Sequence, residues 1–157
     1  MTHNIRTCLW FRDGRGPEAA KFYCDLIPGS RVERSFGADA GMGPFTVTDF
    51  NLAGTPYQIL DAGPHFTLTE AVSISVETED QAETDRLWSA LTADGGEESV
   101  CGWLKDRFGV SWQVFPRRLT ELTLSQDKRV SAAAVAAMMK QKKIIIAEIE
   151  AAVRAAT

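Results

Sequence analysis

The chain of 157 residues is 45% hydrophobic and 24% charged, with 17 Lys and Arg against 21 Asp and Glu for a formal charge of −4. That length suits one compact unit or two small fused halves, and the composition excludes a disordered chain. The acidic balance argues against a general nucleic-acid binder and no apolar run nears the roughly 20 residues that span a bilayer, so neither nucleic acid nor membrane is an expected partner.

The first residues show no charged start followed by an apolar stretch, so no signal peptide is expected. The cysteines are Cys8, Cys24 and Cys101. An odd count without a secretion signal suggests free thiols in a reducing cytoplasm. No C-x-x-C pair offers a finger-type zinc site. The histidines are His3 and His65.

In chain order, residues 5–11 read as a strand. Residues 17–26 read as a helix, with Ala19, Phe22, Tyr23 and Leu26 at i, i+3, i+4 and i+7, Pro17 in the first turn and Pro28-Gly29 as the stop. Extended stretches follow at residues 31–36, 45–52 and 56–61, the last two joined by the hairpin signal Ala53-Gly54-Thr55. The second half repeats this order. Val72, Ile74 and Val76 alternate with Ser73 and Ser75 as a half-buried strand. Residues 78–93 read as a helix with Leu87, Ala90 and Leu91 on one face, a possible cap at Thr78, and Gly95-Gly96 beyond its end. Short extended pieces lie at 98–101, 103–105 and 110–115. Each half is thus βαβββ, and the class is α+β. A local match supports the duplication: Gly54-Thr55-Pro56-Tyr57-Gln58-Ile59 and Gly109-Val110-Ser111-Trp112-Gln113-Val114 share Gly, an aromatic residue, Gln and a β-branched aliphatic residue at the same spacing.

The expected organisation is paired modules over residues 1–117, the first at 5–61 and the second at 71–116, with a helical extension over 118–157. In that extension 130–142 and 144–156 read as helices with stripes Val135, Met138, Met139 and Ile145, Ile149, Val153. Such stripes usually mean packing, against the sheet or a second subunit. Lys140, Lys142 and Lys143 read as a solvated helix end, or as a contact for an acidic partner.

Several segments together carry a family resemblance: Cys8-Leu9-Trp10-Phe11, Ala19-Ala20-Lys21-Phe22-Tyr23, Gly63-Pro64-His65-Phe66, Glu70-Ala71-Val72-Ser73, Cys101-Gly102-Trp103-Leu104-Lys105-Asp106 and Gly109-Val110-Ser111-Trp112-Gln113. Met138-Met139-Lys140 and Lys142-Lys143-Ile144 in the tail fit as well. With two βαβββ halves, the chain resembles the vicinal-oxygen-chelate superfamily of glyoxalase I, extradiol dioxygenases and bleomycin-resistance proteins. More narrowly it is similar to the PhnB-like branch, which often carries a 3-demethylubiquinone methyltransferase label. The resemblance implies sheets that curl around a cavity, frequently completed by dimerisation, so a homodimer is expected. A nucleotide-type methyltransferase offers a Gly-rich turn between its first strand and helix. Here Asp13-Gly14-Arg15-Gly16 and Gly41-Met42-Gly43-Pro44 read as plain turns.

Metal-dependent members of the superfamily draw ligands, often His and Glu, from the first and last strand of each half. Those positions fall near Thr7, Gln58, Ala71 and Gln113, a poor donor set for a divalent metal, so no metal and no cofactor are expected. A one-residue shift would replace Ala71 with Glu70. Strand alternation groups Thr7, Leu9, Phe11, Gln58, Leu60, Ala71, Ser73, Ser111, Gln113 and Phe115 on one face, opposite Tyr57, Val72, Ile74, Trp112 and Val114. The first face suits a small amphipathic ligand held by few hydrogen bonds. The ligand-binding candidates are Thr7, Leu9, Gln58, Ser73, Trp103 and Gln113, although the two glutamines could simply bond each other or water. His65 and Glu70 could act as an acid–base pair at the cavity mouth, or be a solvated histidine and a surface carboxylate. Cys101 reads as a buried thiol or a nucleophile. Trp10 and Trp103 read as core, cavity wall, or an aromatic box for a cation.

Three functions remain open. The leading one is metal-free small-molecule binding by a cytoplasmic protein of this fold. The second is an enzyme: a metal-dependent isomerase, lyase or dioxygenase, a His65–Glu70 catalyst, or the methyltransferase of the label. The third is an interaction module using the C-terminal helices.

Overall fold

A computed structural model of the chain describes residues 4–39, 41 and 43–157; His3 and Met42 lie outside the described residues. The chain divides into two compact units, Met1–Leu68 and Thr69–Thr157.

The first unit holds β1 (Thr7–Phe11), α1 (Gly16–Leu26), β2 (Arg31–Asp39), β3 (Pro44–Leu52) and β4 (Thr55–Asp61), with sheet order β1-β4-β3-β2. β1 and β4 run parallel, and the hairpins β2–β3 and β3–β4 are antiparallel. A parallel pair cannot close by a tight turn, so the chain crosses over through α1, which covers one face of the sheet. No side chain of Arg15 caps α1. The carboxylate of Asp61, at the end of β4, does so instead: Gly14 N donates to Oδ1 at 3.1 Å and Gly16 N to Oδ2 at 2.8 Å. Gly16 is required for this approach, because a Cβ there would stand 2.8 Å from Ile59 Cγ2. The glycine turn is therefore a seat for the protein's own carboxylate.

A second buried carboxylate ties β2 to the sheet. Asp49 on β3 is 0% exposed and accepts from Gln58 Nε2 at 2.8 Å and from Arg34 Nε at 2.6 Å, with Arg6 Nε at 3.5 Å. Burial pushes its pKa up, but the hydrogen bonds from Gln58 and Arg34 and the charges of Arg34 and Arg6 outweigh that and hold it below the ordinary value.

The second unit holds β5 (Ser73–Thr78), α2 (Gln81–Thr92), β6 (Glu97–Glu98), β7 (Trp103–Lys105) and β8 (Ser111–Pro116), with sheet order β5-β8-β7-β6 and β5 parallel to β8. Both units repeat the expected βαβββ order. α2 is capped by Asp80, whose side chain accepts from Glu83 N, and not by Thr78. Thr78 instead ends β5, buried, with its hydroxyl against that of Thr84. Ala71 and Val72 precede β5 in a turn closed by Val72 N to Thr69 O, and Val72 is exposed.

Three helices follow where the sequence suggests two: α3 (Arg117–Thr123), α4 (Lys128–Met138) and α5 (Ile146–Ala156). They gather Leu119, Leu122, Ala134, Ile144 and Ile149 into a core of their own, against which Phe115 and Met138 pack. Between α4 and α5 the chain returns to the sheet. Cys101 N donates to Gln141 O at 2.8 Å and Gly102 N to Lys142 O at 2.7 Å. Gly102 has φ +81, and a Cβ on it would lie 2.8 Å from Val114 O. Only glycine suits that approach. Lys143 and Lys142 turn back onto Asp85 (2.6 Å) and Glu98 (3.7 Å) instead of ending a helix in solvent. No helix among the described residues is long and apolar enough to cross a membrane.

Two predictions follow from the buried carboxylates. Asp61→Ala orphans the buried amide of Gly16 and removes the acceptor of the exposed Gly14 amide, and is expected to cost about 1–3 kcal/mol, read as a lower urea midpoint at constant m-value; an unchanged midpoint would show that the turn is satisfied elsewhere. Asp49 has a depressed folded-state pKa, so its contribution is complete above the ordinary carboxylate range and is lost as pH falls through the folded value. Asp49→Asn should therefore flatten the fall of the denaturation midpoint between about pH 5 and pH 2, and a profile of unchanged steepness would rule this carboxylate out as its source.

Candidate ligand-binding site

The pairing register decides which side chains share each face. In the first unit Leu9 lies beside Ile59 and Phe11 beside Asp61, while Cys8 lies beside Gln58 and Trp10 beside Leu60. Ile59 and Asp61 face α1, since Gly16 of α1 sits against both. Leu9, only 1% exposed, and Phe11 therefore belong to the core beneath α1, and Thr7 shares that face with Tyr57. This corrects the expected grouping of Thr7, Leu9 and Phe11 with Gln58. A shift of one residue turns every side chain of a strand over, and Cys8 and Trp10 take the positions beside Gln58 and Leu60.

On that face Gln58 is committed to Asp49. Partial burial raises the Cys8 thiol pKa, against a lowering hydrogen bond at Leu60, and the Asp49 charge adds to the rise. Trp10 is engaged by its own unit: its Nε1 donates to Gly63 O at 2.9 Å, and Phe66 stands edge-on to it at 4.8 Å. His65 is exposed and stands edge-on to the same indole at 6.2 Å.

In the second unit the register bears out the expected faces from Ser73 onward, whereas Ala71 and Val72 lie before the strand and the exposed Val72 is not part of the apolar face. Ile74, Trp112 and Val114 are buried, with Leu104 beside Trp112. The face away from α2 carries Ser73, Ser111 and Gln113, with Trp103 beside Gln113 and Lys105 beside Ser111. Gln113 Nε2 donates to Ser73 Oγ at 2.9 Å, which fixes the amide plane and leaves its carbonyl oxygen without a partner among the described residues. Beside it opens a groove of about 240 Å³ where β7 and β8 meet α3 and α4, walled by Trp103, Phe115, Leu119, Thr120 and Met138. Three expected site residues, Ser73, Trp103 and Gln113, thus stand together. The helical extension packs against the sheet, one of the two expected arrangements, and α3, with Leu119 and Leu122 spaced three apart after β8, supplies part of the groove's second wall.

Glu70 belongs to the second unit and His65 to the first. Glu70 Oε1 accepts from Lys105 Nζ at 2.6 Å, and that hydrogen bond, with the Lys105 charge, holds its pKa below the usual range. An exposed, ion-paired carboxylate of this kind remains ionised at neutral pH, which suits an electrostatic role better than proton donation.

The donor set can be tested against the groups the family implies. At the paired first- and last-strand positions stand Cys8 with Gln58 and Ser75 with Gln113. The thiol pKa is raised, and both amides already bond neighbours. Among the described residues no three His, Cys, Asp or Glu side chains converge as metal ligands. These residues do not fit a divalent metal. Nor does the turn before α1 fit a nucleotide-type cofactor, because Asp61 fills its amides.

Over residues 3–115 the chain matches the family described as 3-demethylubiquinone-9 3-methyltransferase. It is 30% identical to the solved PhnB protein of Bacillus cereus, covering 72% of this chain and 99% of that one with a TM-score of 0.64. A solved protein of Pseudomonas aeruginosa is 24% identical, with 73% and 98% covered and a TM-score of 0.61. The fosfomycin resistance protein FosX of Listeria monocytogenes is 17% identical, with 71% and 91% covered and a TM-score of 0.51, which shows a shared fold. No curated protein sequence matches the chain. The matched region ends at Phe115, so α3, α4 and α5 lie beyond it. With its two βαβββ modules and this match, the chain belongs to the PhnB-like 3-demethylubiquinone-9 3-methyltransferase family, on the vicinal-oxygen-chelate fold.

Proposed function

We propose that this protein binds a small organic molecule without a metal ion, in the groove between β7, β8 and the helices α3 and α4. The observation that carries the reading is the groove itself: about 240 Å³, with aromatic and aliphatic walls and the oriented amide of Gln113 beside Trp103. An apolar cleft with few fixed polar groups is the usual form of a small-molecule site. Trp103 and Phe115 supply contact area, Gln113 offers an acceptor to the ligand, and Ser73 positions that amide. The groove's amide and hydroxyl groups recognise a ligand but hold no exchangeable charge near pH 7, and the Cys101 thiol on its lining is engaged with Met139 Sδ at 3.4 Å, so the groove is equipped for recognition rather than proton transfer.

Two further parts of the reading concern setting. The three free thiols support a cytoplasmic protein. Every residue of the edge strand β2 is exposed, including Phe36 at 50% and Val32 at 39%, which supports coverage by a second copy of the chain.

Native mass spectrometry of protein purified without chelator tests the site. The expected spectrum is the bare protein or the protein with an organic adduct, and one metal ion per subunit would overturn the metal-free reading. A retained or added ligand should bind at least about tenfold more weakly to Trp103→Ala and Gln113→Leu, a loss near 1.4 kcal/mol; equal binding by both variants would place the ligand elsewhere. Sedimentation equilibrium tests the assembly. The wild type should sediment as a dimer and Phe36→Asp as a monomer, whereas an unchanged mass for the variant would remove β2 from the interface.

A further inference from the structure

Beyond the groove, the same face carries a second cavity of about 150 Å³, and the two share Trp103 as a wall. Ser111, Gln113 and Phe115 follow one another on this face of β8. Ser111 lines the second cavity, Phe115 lines the groove, and Gln113 lies between them. At roughly 3.3 Å per residue the row spans about 13 Å. The groove end is apolar. The other end is charged, lined by Glu70, Glu97, Glu98 and Lys105.

We propose, resting on the groove reading above, that the ligand is an amphipathic organic cation whose apolar part lies in the groove and whose protonated amine enters this second cavity. Two independent observations carry the charge assignment. First, the cavity lining holds three carboxylates against one ammonium. Glu70 is paired with Lys105 at 2.6 Å. Glu98 accepts from Trp88 Nε1 at 2.8 Å and faces Lys142 at 3.7 Å. Glu97 has no ion-pair partner among the described residues, and its charge adds to that of Glu70 around the Lys105 ammonium. One carboxylate therefore remains to receive a cation, even with Lys142 counted.

Second, the hydroxyl of Ser111 is an orphan. The residue is 2% exposed, and its Oγ is shut off from solvent with no hydrogen-bond partner among the described residues. A buried polar atom without a partner costs free energy unless something fills the site. A hydroxyl turns about one bond to accept from an ammonium N–H, and an ammonium carries three such donors. The space corresponds to about five waters, enough for an amine and a short stretch of its chain. Trp103, between the compartments, presents a ring of the kind that attracts an organic cation. An anionic ligand would meet the excess carboxylates, and a neutral one would leave Glu97 unpaired.

The test uses three probes of one skeleton: 3-phenylpropylamine, 3-phenylpropan-1-ol and 3-phenylpropanoate, each titrated calorimetrically at pH 7 into the full chain. The amine is expected to bind at least about tenfold more tightly than the alcohol, with the carboxylate weakest. Glu97→Gln and Ser111→Ala should each cut the preference for amine over alcohol about threefold or more. Ser111→Ala should also leave the unfolding midpoint of the ligand-free protein unchanged or raised, because it removes an unsatisfied group; a lowered midpoint would mark the serine as structural and count against the proposal. Equal binding of amine and alcohol, with Trp103→Ala weakening both, would overturn the cation assignment and leave the groove standing. Binding by none of the three at millimolar concentration would overturn the groove reading and this one with it.

Discussion

The architecture depends on one constraint, the parallel pairing of the first and last strand in each module. Because a parallel pair needs a crossover, β1 must reach β4 through α1, and β5 must reach β8 through α2. Each helix then buries one face of its sheet and leaves the other to different partners. In both modules the helix-facing layer is filled by large side chains, Leu9, Phe11 and Ile59 in one and Ile74, Trp112 and Val114 in the other.

Those opposite faces have diverged. In the first unit the face is occupied by the unit's own charges, where Asp49 gathers Gln58, Arg34 and Arg6 and so commits the glutamine that the repeat makes equivalent to Gln113. Trp10 is likewise taken up by Gly63 and Phe66. In the second unit the matching glutamine is held by a serine, a weaker and neutral partner, and keeps an acceptor to offer. A buried carboxylate attracts cations and fixes side chains, whereas a serine only orients, so one sheet of the pair is braced by its own charges while the other keeps an amide oxygen without a partner among the described residues.

The helical extension completes the second sheet. Phe115 and Met138 pack against the helical core, and residues 141–142 hydrogen-bond to the turn at Cys101 and Gly102. This turn also explains why the extension needs a glycine at position 102, since any side chain there would strike Val114. The family match stops at Phe115, so it covers the sheet side of the groove, with Trp103, Gln113 and Phe115, and not the helical side, with Leu119, Thr120 and Met138. The methyltransferase name of the family finds no independent support in the cofactor-binding geometry, because the one glycine turn that leads into a helix is filled by Asp61.

The sequence by itself determined the duplication and the order and type of the elements within the two modules. It also determined the faces of β5 and β8, because Ser-Ile-Ser-Val and Ser-Trp-Gln-Val alternate small or polar with large apolar residues and admit a single assignment. Thr7-Cys8-Leu9-Trp10-Phe11 carries apolar residues at both parities, so alternation left its phase open. The parallel register with β4, through contacts more than forty positions apart, decided it and put Leu9 inside and Cys8 outside. Asp49 and Asp61 read as ordinary strand residues until the fold brought arginines and amides to them. The same holds for Ser111, unremarkable in its pattern, whose missing partner exists only once β7, β8 and their neighbours have closed around it. Local pattern names the faces of an element; which groups meet on them is set by pairings between distant segments.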